Sequence, residues 1–261
     1  MLGVVPVVDQ ARGNHGHGPN HTNNLIDHGG AVMDQGNAPY LIFWSDPGRG
    51  YVFDPGYIDT ITNYFRDVSA GVGNSTTTNV YFSDTQYSSI NVASTFDAAS
   101  HVIHDSSGYP ASGCRDKATK FCLSDGQLQD EVTSYTNAGW PVTQNKVRSL
   151  YFVFTPQGVG SCYGSSCAYT NFCAYHSWIT QSTGDAILYA NQPYAAQNYR
   201  IYTCDSGQHP NGNAADATLN VVSHEHNEAI TDPEGTAWYD SQGAENGDKC
   251  AWNFGTKIGS T

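Results

Sequence analysis

The chain has few charged residues, and positive charge is the scarcest. Charged residues make up 13% of its 261 residues, and 11 Lys and Arg stand against 24 Asp and Glu, which gives a net charge of −13. Binding to nucleic acid or to anionic lipid needs a basic surface, so we expect neither partner. No apolar run approaches the roughly 18 residues of a membrane-spanning helix, so no membrane segment is predicted. The Gly-x-Ser-x-Gly motif of many serine hydrolases is also absent.

Aromatic residues are plentiful, with 17 Tyr, 10 Phe and 5 Trp, and a chain of this length fits one large domain. Apolar runs of the strand type alternate with segments of helical periodicity. The predicted strands are 40–44, 79–82, 150–154 and 186–190, and the predicted helices are 57–68, 95–104, 128–137 and 217–231. This alternation predicts an α/β fold in a single domain, a mixed sheet with flanking helices. Two segments, 105–124 and 157–176, are predicted to be loops stapled by disulfides.

The beginning of the chain has a different composition. Residues 9–37 are rich in Gly, Asn and His and cannot bury an apolar face, which predicts a flexible N-terminal arm over residues 1–37. Neither a linker nor an internal repeat follows residue 38, so residues 38–261 are predicted to form one domain.

Seven cysteines lie in turn-rich sequence, which in a weakly charged chain is typical of an oxidising compartment. We therefore expect a secreted protein with disulfide bonds among Cys114, Cys122, Cys162, Cys167, Cys173, Cys204 and Cys250. Cys114 and Cys122 are close enough in sequence for a local disulfide. The pairing of the cysteines at 162, 167 and 173 stays open, and Cys250 has Cys204 as a candidate partner. Because seven is odd, at least one thiol is unpaired or bonds to another molecule.

Residues 224–228 read His-Glu-His-Asn-Glu, an HExxE pattern inside a predicted helix. Residues four apart share one helix face, so His224 and Glu228 project together and can bind one cation. Imidazole and carboxylate are both zinc ligands. Glu225 lies about 100° around the helix, where the related HExxH motif places the general base that takes a proton from the attacking water. The pattern predicts a zincin-like metal-binding helix.

A second acidic element follows, in which Glu245 and Asp248 come 17 and 20 residues after Glu228. A helix-bound zinc site takes a further carboxylate ligand, and a carboxylate behind the ligands orients the ligating His. Glu245 is predicted as the third metal ligand and Asp248 as the residue behind it, with the reverse assignment left open. Ca²⁺ ranks below Zn²⁺ as the cofactor because the chain has no Asp-x-Asp-x-Asp-Gly loop.

Several motifs follow one another along residues 29–250. The first residues of the successive motifs are His28-Gly29-Gly30, Tyr40-Leu41-Ile42, Tyr151-Phe152-Val153, Cys173-Ala174-Tyr175-His176, Val222-Ser223-His224, Asp232-Pro233, Ala237-Trp238-Tyr239 and Glu245-Asn246-Gly247. In this order they resemble the EXORDIUM or phosphate-induced-protein family of secreted plant proteins and their bacterial relatives. The resemblance implies a secreted protein with a metalloprotease-like helix, associated with growth of the cell wall and with signalling outside the cell.

Two functions remain as hypotheses. The first is a secreted zinc hydrolase, a metallopeptidase in which the metallohydrolase-like domain of residues 38–261 cleaves a peptide or protein substrate with Glu225 as general base. His176 is expected either to stabilise the oxyanion of the reaction or to be a packed loop histidine. The alternative is a non-catalytic secreted protein of the cell wall or of signalling. In that case the same residues form a structural metal site, and the surface contacts the wall.

Overall fold

A mixed β-sheet forms the centre of the protein. The computed structural model describes residues 3–7, 23–71, 80–87, 89–144, 146–196 and 203–254. Its strands are β1 (Gly3–Pro6), β2 (Ile26–Asp27), β3 (Asn37–Trp44), β4 (Val102–Asp105), β5 (Phe121–Ser124), β6 (Thr143–Gln144), β7 (Val147–Phe154), β8 (Val159–Tyr163), β9 (Ser166–Cys167), β10 (Phe172–Thr180), β11 (Ala186–Gln192) and β12 (Trp238–Tyr239). Its helices are α1 (Tyr57–Ala70), α2 (Ala98–His101), α3 (Asp125–Asn137) and α4 (Ala215–Thr231).

The main sheet combines a parallel half with an antiparallel edge. Over the described ranges its order is β1-β10-β11-β7-β3-β4, with β6 added beside β7. Strands β11, β7, β3 and β4 are parallel to one another, whereas β10 runs antiparallel to β11 and β1 antiparallel to β10. Two small sheets, β12-β2 and β5-β8-β9, lie outside this path. The predicted mixed α/β fold is confirmed.

Both faces of the main sheet are covered, which explains why its central strands are continuous apolar runs. All eight residues of β3 are buried. On one face, Phe152 and Leu188 belong to a core with residues of α1 and α4, such as Phe65. On the other face, Tyr151 packs in a core that includes Leu128 of α3. Helix α4 lies against β1, β10 and β11, so the HExxE segment lies over the antiparallel edge of the sheet.

The prediction of a flexible arm over residues 1–37 is wrong for the described residues near both ends of that range. Residues 3–6 form strand β1 of the main sheet, where Val5 is only 2% exposed. Met33 is fully buried in the core that contains Phe65. Burial of these apolar side chains lowers the free energy of the folded chain, and a solvated arm would forgo that gain. Ordered structure therefore begins well before residue 38. Residues 8–22, which hold half of the Gly, Asn and His residues of the predicted arm, lie outside the described residues.

The long strands and helices predicted from periodicity are confirmed, but four segments differ. The predicted loop 105–124 ends in a strand, because its last four residues form β5. Residues 157–176 contain β8, β9 and the start of β10 instead of one loop. Cys162–Cys167 joins β8 to β9, and Cys173 ties β10 to the segment that holds Cys204. The predicted helix over 95–104 is one turn, α2, followed by β4. Within 79–82, Asn79 lies outside the described residues, and Phe82 begins a 3-10 helix. Tyr81 anchors that segment as a single buried ring, 4.7 Å from the ring of His226.

Three disulfides join the cysteines. The predicted Cys114–Cys122 bond is confirmed, and the others are Cys162–Cys167 and Cys173–Cys204. The expected Cys204–Cys250 pairing is wrong: Cys204 is bonded to β10, and Cys250 is an exposed free thiol. Three disulfides are compatible with an extracellular protein. In the part of the chain that is described, no helix has the length and apolar character that crossing a membrane requires.

A buried carboxyl on α3 makes stability depend on pH. Burial, and after it the neighbouring Asp105, raise the pKa of Glu131 to about 8. The folded pKa lies above the unfolded value, so Glu131 supports folding below its unfolded pKa, and this support is lost as the pH rises toward 8. We expect Glu131→Gln, which stays neutral, to gain stability over the wild type between pH 5 and pH 8. The gain is at most ~1.4 kcal/mol per pH unit.

Urea unfolding of both proteins at several pH values measures this difference. The exposed neighbour Asp130, changed to Asn, is the control and should show no such trend. Equal pH dependence of the wild type and Glu131→Gln would contradict the assignment.

Candidate metal centre

Helix α4 points its ionisable side chains in different directions. His224 and Glu228 lie one turn apart, and His224 Nε2 is 2.8 Å from Glu228 Oε1, so the two side chains meet as their spacing predicts. His226 turns into the core, where its Nε2 lies 2.8 Å from Asn37 Oδ1. Burial lowers the pKa of His226 to about 3. His226 is therefore a neutral core residue, while His224 and Glu228 share the face that carries the candidate site.

The loop after β12 brings two more carboxylates to this helix. Asp248 Oδ1 lies 3.6 Å from His224 Nε2, and Asp248 Oδ2 accepts a hydrogen bond from the Glu245 backbone N at 3.1 Å. Gly247 stands at the closest approach, because a Cβ there would lie 2.9 Å from Glu228 Oε1 and 3.0 Å from His224 Nε2. Its φ of −62° is open to any residue. Lack of space, rather than backbone conformation, explains the glycine.

Non-covalent contacts hold this loop where a disulfide was expected. Asp240 Oδ1 accepts hydrogen bonds from the backbone N–H groups of Gln242 and Ala244 at 2.8 and 2.9 Å. Lys249 Nζ pairs with the other oxygen of Asp240. The indole of Trp252 donates to the carbonyl of Pro6 at 2.9 Å and so ties the end of the loop to β1. The loop is thus fixed from both sides without Cys250.

His176 lies on strand β10, not in a loop, and it is 2% exposed. Its Nδ1 is 3.0 Å from Glu225 Oε2, and its Nε2 is 3.1 Å from the carbonyl oxygen of Asp232. Both partners are acceptors, so the ring donates from both nitrogens and is a cation. Burial alone would lower the pKa of His176, but Glu245, Glu225 and the neighbouring carboxylates outweigh it and raise the pKa to about 10. In this arrangement neither nitrogen is available to an oxyanion.

Glu225 faces β1 and β10 instead of the loop. Its side chain is fully buried. Its Oε1 accepts a hydrogen bond from the backbone N–H of Val5 at 3.1 Å, and its Oε2 accepts from His176. Both oxygens of this buried carboxyl are thus engaged, one by the backbone of β1 and one by the ring of His176.

Buried carboxylates are crowded around His224 without enough donors. Glu228 and Glu245 are 0% and 1% exposed. Among the described residues, both side-chain oxygens of Glu228, Oε1 of Glu245 and Nε2 of His224 lack a hydrogen-bond partner. Burial raises the pKa of Glu228 to about 7 and that of Glu245 well above its ordinary value. Orphaned buried acceptors are costly, so the cluster needs protons or a cation among its oxygens.

The candidate ligand atoms form two groups that share Glu228. One is His224, Glu228 and Asp248, the other is His176, Glu228 and Glu245, and within each group the atoms lie within 4.8 Å of one another. The first group borders a cleft of about 250 Å³ through His224. The second group is enclosed, and both nitrogens of His176 are already engaged. The first group is thus the better cation site, and in it Asp248, not Glu245, stands beside His224.

Three residues around the site were missed in the sequence. Val5 and Trp252 line the same cleft as His224, and Asp84 accepts a hydrogen bond from Asn246 Nδ2 at 3.3 Å. Burial raises the pKa of Asp84 to about 7. The apolar run that includes Val5 was a signal for a strand, but nothing local showed which strand it pairs with. Asp84 had no recognisable signal.

No family model matches the chain, and no curated protein or solved structure matches it either. The resemblance to the EXORDIUM family, which depends on the order of motifs, therefore stays a prediction.

The close approach at Gly247 gives a test of the site's geometry. In Gly247→Ala the added methyl would lie 2.9 Å from Glu228 Oε1 and 3.0 Å from His224 Nε2, so these packed side chains or the loop must shift. We expect a loss of ~1–3 kcal/mol in the free energy of unfolding, as for overpacked interiors.

The control is Gly126→Ala in α3, where the nearest atom to the new Cβ lies 4.0 Å away. That variant should be as stable as the wild type or more so, because alanine favours the helix. Chemical denaturation measures both variants. A Gly247→Ala protein as stable as the wild type would mean that the loop does not approach α4 this closely.

Proposed function

We propose that the protein is a zinc-dependent hydrolase, most specifically a metallopeptidase, with Zn²⁺ held by His224, Glu228 and Asp248. The observation that carries the proposal is the convergence of buried, unpartnered atoms. His224 Nε2 and Glu228 Oε1 are 2.8 Å apart but are not aligned for a hydrogen bond. A cation between them and Asp248 would satisfy these atoms at once.

The donor set suits zinc. One imidazole nitrogen and two carboxylate oxygens are the ligand types of catalytic zinc sites with three protein ligands and one open position. Zn²⁺ bound there would lower the pKa of a water molecule and polarise a carbonyl group. His224 faces the cleft, so the open position would be reached from solvent. Glu245 lies next to Glu228, and its carboxylate would reinforce the negative charge behind the ligands.

Glu225 is the general base in this proposal. It lies beside the ligand pair on α4 but belongs to neither group of candidate ligands. The ring of His176 lies 3.0 Å from one oxygen of Glu225 and fixes its orientation. His176 therefore acts as a positioning residue and not as a donor to the oxyanion, because both of its nitrogens are engaged.

Secretion and a protein substrate belong to the same proposal. The three disulfides support an oxidising compartment. The cleft is small and partly apolar, lined by Trp252 and Phe254 as well as by His224. Its volume of about 250 Å³ is below the usual range for drug-sized ligands, so it fits one or two side chains of a peptide.

A non-catalytic metal site is the second candidate, and one observation favours it. Both oxygens of Glu225 are engaged and the side chain is fully buried, which is the environment of a structural carboxylate. Such a protein would bind zinc and stabilise the loop that carries Asp248 without hydrolysing peptides.

The proposed ligands predict the metal content. Purified protein should carry about one zinc ion per chain, and His224→Ala should lower zinc affinity by more than ~100-fold, since changes behind the ligands alone cost 10- to 100-fold. Competition with a chromogenic chelator measures the affinity. The control is His209→Ala, because His209 pairs with Asp205 in the segment before α4 and belongs to neither group of candidate ligands. Wild-type affinity in His224→Ala would refute the site.

The two candidate functions differ in the role of Glu225. Glu225→Gln keeps the size of the side chain and its acceptor for Val5 but cannot take a proton. We expect it to bind zinc like the wild type and to lose at least ~100-fold in kcat on a peptide library, the usual contribution of general-base catalysis.

Glu234→Gln is the matched control, since Glu234 pairs with Arg148 outside the site, and it should keep full activity. A zinc-loaded wild type that cleaves no peptide would favour the structural site. A Glu225→Gln variant as active as the wild type would exclude the mechanism.

A further inference from the structure

We propose that strand β1 occupies a groove that binds extended peptides, so that the chain itself fills the substrate position beside Glu225. The groove would take a peptide that places an apolar side chain and a backbone N–H over this carboxylate. The inference rests on the proposed function only for the role of Glu225 as general base.

The groove is the free edge that β10 would have without β1. Strand β10 pairs with β11 on one side and with β1 on the other, with Val4 opposite Tyr175 and Val5 opposite Ala174. Extended peptides bind sheet edges of this kind through main-chain hydrogen bonds, and alternate side chains give specificity. Strand β1 is short and is the last strand at this side of the described sheet, as a bound peptide would be.

The contact between β1 and Glu225 resembles a contact with substrate. A base that takes a proton from water and returns it to the leaving amine must lie within hydrogen-bond reach of a peptide nitrogen. The backbone N of Val5 is 3.1 Å from Glu225 Oε1. A hydrogen bond from a strand's amide to a side chain on α4, and not to a neighbouring strand, is not needed for sheet formation.

Two further contacts bind β1 in the way that a site binds an extended peptide. The indole of Trp252 donates to the carbonyl oxygen of Pro6 at 2.9 Å. Trp252 holds a φ of 64°, a conformation that costs energy for a residue other than glycine and is concentrated at functional sites. The side chain of Val5 lines the cleft that His224 borders and is 2% exposed. One amide, one carbonyl and one apolar side chain are thus each bound by a different part of the site.

The substrate class follows from these contacts. The groove fits an extended peptide with a β-branched or similarly small apolar residue at the position of Val5. A charged residue there would be buried next to Glu225, and an acidic one would be repelled. Peptide and β1 would compete for one groove, so β1 must leave before substrate binds.

The experiment uses the full chain and a fluorescein-labelled peptide, Gly-Val-Val-Pro-Val, which has the sequence of residues 3–7. Val5→Asp places a carboxylate against Glu225 and should displace β1 from the groove. We expect fluorescence anisotropy to show at least ~10-fold tighter peptide binding by Val5→Asp than by the wild type. The same peptide with Asp in place of its second Val should not bind. Val5→Ala, which keeps the N–H, should behave like the wild type.

A folded Val5→Asp protein that does not bind the peptide would overturn the proposal. Should that variant fail to fold, Val5→Pro replaces it, because proline removes the N–H that faces Glu225 and is tolerated at sheet edges. The rate of hydrogen exchange of the β10 backbone amides is then measured in Val5→Pro, with and without excess peptide. Faster exchange in Val5→Pro that is suppressed by excess peptide supports the proposal, and exchange unchanged by peptide overturns it.

Metal-free protein separates this inference from the proposed function. Strand β1 is bound by β10, Glu225 and Trp252, and none of these contacts uses a proposed zinc ligand. Val5→Asp protein that has been treated with a chelator should therefore still bind the peptide. Peptide binding without zinc binding or cleavage would refute the hydrolase and leave the groove intact. Zinc binding and cleavage by a protein whose β1 never gives way to peptide would refute the groove and leave the hydrolase intact.

Discussion

Buried negative charge at the base of α4 is the constraint on which the rest of the site depends. Glu225, Glu228 and Glu245 are almost completely removed from solvent, and a buried carboxylate without a partner costs several kcal/mol. The imidazolium of His176 compensates Glu225. The carboxylates of Glu228 and Asp248 lie around His224, at the part of the described cluster that borders the cleft, where the proposed divalent cation would balance their charge.

The mixed topology of the sheet makes this arrangement possible. The parallel half provides an apolar floor for α1 and α4, whereas the antiparallel edge carries His176 and Val5 to the underside of α4. The loop that contains Gly247 then closes over the exposed face of the helix. A site built from one helix, one edge and one loop has its polar groups fixed by three independent parts of the fold.

Sequence reasoning predicted what local periodicity determines. Helix α4, the meeting of His224 with Glu228 and the acidic element at Asp248 all follow from spacings within 25 residues. Prediction from the sequence failed where contacts join distant parts of the chain. The pairing of β1 with β10 spans more than 160 residues, and no local pattern reveals it. The cysteines around His176 favour a loop in the sequence, whereas the residue lies in strand β10. Cys250 is a free thiol, and the loop that carries it is held by a salt bridge and hydrogen bonds.

X-ray absorption at the zinc edge tests the central claim most directly, because it reports the ligand atoms themselves. Protein loaded with one equivalent of zinc should show only nitrogen and oxygen neighbours at about 2.0–2.2 Å, with the multiple scattering of a single imidazole. A sulfur neighbour at about 2.3 Å would place zinc on Cys250 or another cysteine. Such a spectrum, or one with two or more imidazoles, would contradict a site made of His224, Glu228 and Asp248.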